Sequence, residues 1–141
     1  MIKKVSVAII LFSSLLFANE LKEIKEDFSD KLQNEFSEDF AVWEVEFYKA
    51  NSMIRFSKSD LMYKPGNSKM QKGFKFILND FYPRYLELLL KYKDNIDEVI
   101  IIGHTSSENS KAKTLEGKYL RNLVLSQDRA NIALELSLIH I

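Results

Sequence analysis

The chain has no cysteine, two prolines and four glycines in 141 residues, and its twenty basic and twenty acidic side chains cancel. Without cysteine there is no disulfide framework, thiolate metal site or thiol nucleophile. The lipid-carrying cysteine of a bacterial lipoprotein is excluded too. The balanced charge argues against a nucleic-acid partner, which calls for a basic surface. Apolar residues make up 46% of the chain and are spread along it, which excludes a disordered sequence and is enough for a buried core.

The one long apolar run lies at the start. Lys3 and Lys4 precede Val5 to Phe17, interrupted only by Ser6, Ser13 and Ser14, and Ala18 offers a small residue before Asn19-Glu20. This is the layout of a secretory signal peptide, and the run is shorter than the ~20 residues of a membrane-spanning helix. The expected division is a signal peptide over 1–18, an amphipathic helical spacer over 19–40 and a folded domain over 41–135.

In the first helix, Leu21, Ile24, Phe28, Leu32 and Phe36 recur at helical spacing against a face rich in acids. Residues 42–48 alternate as a strand, and Met53 to Phe56 form a second one. Lys64-Pro65-Gly66-Asn67 marks a loop. Asn67 or Ser68 is the expected cap of a helix carrying Met70, Phe74, Ile77, Phe81, Leu88 and Tyr92, with a kink or break at Pro83. Val99 to Ile102 is apolar on both faces and reads as a buried central strand. It runs into Gly103-His104-Thr105-Ser106. After a polar loop, residues 119–125 suggest a short helical turn. Ser126 is placed to cap a last helix from Gln127 to about Leu134.

Strand, helix, strand, Gly103-His104-Thr105-Ser106, loop, then Asn122-Leu123-Val124-Leu125-Ser126-Gln127-Asp128-Arg129-Ala130: this order resembles the OmpA/MotB-like C-terminal peptidoglycan-binding domains, over about residues 50 to 135. The resemblance implies an α/β fold with helices packed on a mixed β-sheet. It also implies non-covalent, non-enzymatic binding of the diaminopimelate stem peptide, anchoring an envelope component to the wall. The implied location is the periplasm, in association with the outer membrane and cell wall. The implied contacts are Arg129 to the ligand carboxylate, with Ser106, Thr105 and Asn122 around it. An arginine fork suits a carboxylate, and the first turn of a helix adds free N–H groups. The family's aspartate after Gly-His-Thr is Ser106 here, so the ligand ammonium meets a neutral hydroxyl unless Glu108 or Glu116 restores the charge.

No catalytic residue, metal or cofactor is expected. His104 reads as a histidine that bonds its own loop, and Ser106 and Ser107 lack a nucleophile-elbow context. The partners expected are peptidoglycan, outer-membrane proteins and a second copy of the chain. Two other readings stay open: a membrane-anchored, stator-like motor or transport component, and a wall-modifying enzyme. In the family, further strands follow the Arg-Ala helix. Here Leu136 to Ile141 resembles the translation of a transposase-type sequencing-adapter end, so divergence after Glu135 and missing C-terminal strands are expected.

Overall fold

The computed structural model describes residues 5–10, 18–105 and 113–138, with the backbone alone over 5–10, 18–19 and 59–60. In chain order the elements are β1 (Val5–Ile10), α1 (Ala18–Trp43), β2 (Val45–Tyr48), β3 (Met53–Phe56), the short α2 (Ser59–Met62), α3 (Lys72–Lys91), β4 (Glu98–Ile102) and α4 (Leu115–Leu138). The strands form one sheet in the order β2-β3-β1-β4, and every described pairing is antiparallel. Helices pack on this sheet, the α/β arrangement that the resemblance implied.

The segment expected as the core of an export signal contributes β1. Val7 faces Ile54 of β3 on one side and Ile101 of β4 on the other. β3 and β4 therefore run in the same direction, and β1 supplies the hydrogen-bonding partner that both need along their inner edges.

α1 is part of the domain, not a spacer ahead of it. Phe28, Leu32, Phe36 and Phe40 stand one turn apart and are all buried in the main core, while most of the acids of the opposite face are exposed. The helix runs on past residue 40 because Trp43 packs against Phe36 and Phe81, so the strand starts at Val45. Glu44 takes the left-handed conformation (φ 54°) that reverses the chain between them. Arg84 then fastens α3 to α1. Its guanidinium lies 4.5 Å from the Phe36 ring centre and reaches Glu35, Asp39 and Asp80 at 2.7, 2.8 and 3.1 Å.

Phe81 is fully buried at the centre of the core, where its ring meets Phe36, Phe56, Tyr82 and Tyr85 at centroid distances of 4.9–5.6 Å. Pro83 does not divide α3, which is one helix of 20 residues. Neither Asn67 nor Ser68 caps it. The N-cap is Gln71, and the Asn67 side chain instead accepts the Lys69 N–H at 2.7 Å within its own loop.

Two further expectations are corrected. β4 is the edge strand of the described sheet, and Val99 and Ile102 are 39% and 38% exposed. No described strand pairs its outer edge, so its apolar outer residues stay half in water. The expected turn and final helix are one element, α4, which continues to Leu138 and buries Leu136 in the core.

Candidate functional site

The end of β4 meets the middle of α4, and the contact is made by backbone. Gly103 lies so close that a Cβ added there would stand 2.0 Å from the Ser126 carbonyl oxygen and 2.7 Å from the Ala130 nitrogen. Only glycine permits this approach. One residue on, the His104 carbonyl accepts the Nη1–H of Arg129 at 3.0 Å. Thr105 is buried, and its hydroxyl donates to the Asn122 carbonyl at 3.4 Å. The Gly-His-Thr strand end and the Asn-to-Ala helical motif, separate in sequence, thus form a single junction.

Arg129 is 4% exposed, well inside α4 and not in its first turn. The free N–H groups of a helix start are therefore absent around it. Its neighbours are carbonyls. Nε and Nη2 both donate to the Asn67 oxygen, at 3.0 and 2.8 Å, and Nη2 also reaches the Lys64 oxygen at 3.3 Å. Those carbonyls are presented by the Lys64-Pro65-Gly66-Asn67 turn, closed by the Asn67 N–H on the Lys64 oxygen at 3.0 Å, with Gly66 at φ 69°. The guanidinium stacks 4.6 Å from the Tyr63 ring centre, and the Tyr63 hydroxyl donates to the Arg129 carbonyl at 3.3 Å. Burial lowers the Arg129 pKa and raises that of Tyr63 to about 12.

A guanidinium has five N–H groups. Four are engaged, and one Nη1–H has no partner among the described residues. Arg129 is thus a cross-brace joining α4, the 64–67 turn and the β4 end, and not a surface arginine paired with Asp128 or Glu135. Its planar fork donates to three backbone oxygens, those of Lys64, Asn67 and His104.

Ser126 is not a cap. It sits inside α4 with its hydroxyl on the Leu123 carbonyl at 3.0 Å, an i−3 back-bond within the helix. Asn122 is half-buried and Glu116 exposed in the first turn of α4. Ser106 and Glu108 lie outside the described residues. Tyr63 and the carbonyls of Lys64 and Asn67 belong to the junction, a role that the sequence does not announce for them. The Pro65-Gly66 turn signalled a loop, and nothing in it signalled carbonyl oxygens aimed at an arginine some 60 positions on. Among the described residues no three His, Asp or Glu side chains gather to hold a metal. No described helix is long and apolar enough to cross a membrane.

The fold defines a class: an α/β domain, consistent with OmpA-like domains, whose strand-end glycine and helix arginine interlock. Among curated proteins the chain is similar to the Zorya protein ZorB of Escherichia coli, at 36% identity over 104 residues. That match takes in 74% of this chain and 44% of ZorB, so the chain spans less than half the length of this relative. No protein-family model matches the chain, and no solved structure is significantly similar to it.

Proposed function

We propose that the domain is a non-enzymatic wall-binding module that holds an envelope component to peptidoglycan from the periplasm. The observation that carries this reading is the junction itself. The two motifs that resemble the OmpA/MotB-like peptidoglycan binders are in mutual contact through Gly103, Thr105 and Arg129, as a shared ligand site requires.

In this reading the remaining Nη1–H and the buried charge of Arg129 receive the diaminopimelate carboxylate. A buried arginine already held by carbonyls loses little freedom on binding an anion. Ser106 accepts from the ligand ammonium, with Glu108 or Glu116 supplying the negative charge. Thr105 and Asn122 hold the backbone between them. Export follows from the N-terminal signal and gives a mature N-terminus at Asn19. β1 leaves the sheet when that cut is made, and the inner edges of β3 and β4 must then pair with another strand.

The test is competition. Protein pre-bound to purified sacculi is challenged with a soluble stem tripeptide ending in diaminopimelate, and with its lysine counterpart, which lacks the second carboxylate. The reading expects release by the first alone and no soluble muropeptides generated. Equal release by both, or muropeptide release by the protein, contradicts it.

A further inference from the structure

Beside the 64–67 turn lies a cleft of about 630 Å³ between α2, the 64–71 loop and the start of α3. Leu61, Met70, Phe74 and Ile77 give it apolar walls, and Lys64, Lys69 and Lys72 stand on its rim. The three lysines are exposed, and none forms an ion pair among the described residues. Among the described residues no acid lines the cleft. This contrasts with α1, whose outer face is dominated by acids.

Beside the cleft the surface is apolar where water should favour polar groups. Leu61 is 57% exposed and Phe76, one turn beyond Lys72, is 77% exposed. Lysines with free ammonium groups around apolar walls, flanked by an exposed aromatic ring, match an amphiphile with an anionic head. A free anion would need the cations but not the apolar walls. A wall glycan would need neither Leu61 nor Phe76 in water.

We infer that this cleft binds the phosphate headgroup of an acidic lipid, with Lys64, Lys69 and Lys72 on the phosphate and Leu61 and Phe76 entering the interface. The inference does not rest on wall binding. The structure also supplies a probe that spares the fold. A Cβ added at Gly73 would meet nothing within 4 Å, so Gly73→Glu puts a negative charge into the cleft without a clash.

The experiment is vesicle co-sedimentation of the full chain, on phosphatidylcholine alone and on phosphatidylcholine containing phosphatidylglycerol. Binding is expected only to the anionic vesicles and should weaken with salt. Each lysine near the surface contributes roughly fivefold, so K64Q/K69Q/K72Q together should weaken binding by more than about tenfold. Gly73→Glu should weaken it as well, with an unfolding midpoint no lower than that of wild type. Sacculus binding by K69Q/K72Q, which leaves Lys64 and its turn untouched, should match wild type. Equal binding to neutral vesicles, or no effect of the triple variant, overturns the inference. So does release from vesicles by millimolar glycerol phosphate, which would mark a site for the free anion, or loss of sacculus binding by K69Q/K72Q, which would make the cleft part of the wall site.

Discussion

Replacing Gly103 with alanine should damage this protein far more than one added methyl group suggests. The new Cβ would stand 2.0 Å from the Ser126 carbonyl oxygen, 2.7 Å from the Ala130 nitrogen and 3.1 Å from the Ser126 carbonyl carbon. All three are backbone atoms of α4, so no rotamer change relieves the overlap. Either the helix or the end of β4 must move by more than an ångström. That movement stretches the Arg129-to-His104 bond of 3.0 Å and the already long Thr105-to-Asn122 bond of 3.4 Å. Overpacking in a close-packed site costs about 1–3 kcal/mol, and the lost bonds place this case at about 3 kcal/mol. With a urea dependence of ~2 kcal/mol per molar, the unfolding midpoint falls by ~1.5 M. Gly73→Ala is the matched control. Its Cβ enters open space at the start of α3, and the gain in helix propensity should raise stability by up to ~1 kcal/mol. Both are read by urea denaturation of the full chain followed by tryptophan fluorescence. Equal midpoints for Gly103→Ala and wild type would refute the close approach of β4 to α4.

Two tyrosines on α3 should respond oppositely to loss of the hydroxyl. The Tyr82 hydroxyl donates to the Ala133 carbonyl at 2.9 Å, so Tyr82→Phe should cost ~1 kcal/mol, whereas the buried Tyr85 hydroxyl has no hydrogen-bond partner among the described residues, and Tyr85→Phe should be neutral or stabilising in the same urea assay. Burial raises the Tyr63 pKa to about 12 and those of Tyr82 and Tyr85 above the ordinary value as well. The folded state then keeps protons that the unfolded chain releases near pH 10, so their stabilisation is complete below about pH 10 and is lost as pH rises toward 12. Urea midpoints measured across that range should fall, and a flat profile would contradict the burial of these rings. Arg129→Ala should lower stability by about 3 kcal/mol, because the Asn67, Lys64 and His104 carbonyls lose charge-assisted donors inside the protein. Thermal unfolding near the wild-type temperature would show that the brace is dispensable.

Elements held by local periodicity were legible in the sequence. The apolar stripe of α1, the alternation in β2 and the Pro65-Gly66 turn each depend on a few neighbouring residues, and they appear near the expected positions. What depends on distant partners was not legible. Whether Val99 to Ile102 is central or at the edge is decided by which strand lies beside it, and β1 comes from the opposite end of the chain. Ser126 reads as a cap because serine prefers that place, yet α4 already runs through it, and packing of Ala133 and Leu136 outweighs the local preference. Pro83 reads as a kink or a break, and the buried Phe81, Tyr82 and Tyr85 around it keep α3 in one piece. The junction was half legible. Gly103 and Arg129 stood out as motif residues, but the burial of Arg129 among carbonyls comes from a turn 62 residues away.

The central claim is that the junction of β4 and α4 serves peptidoglycan binding. Its most direct test is the equilibrium affinity of the full chain for purified sacculi, compared with Arg129→Lys, each shown to be folded by circular dichroism. A lysine keeps the charge but not the planar fork. The account predicts saturable wild-type binding and a loss of about tenfold or more for a folded Arg129→Lys, equivalent to one charge-assisted hydrogen bond. A wild-type protein that stays in the supernatant, or a folded variant that binds as tightly as wild type, would contradict it.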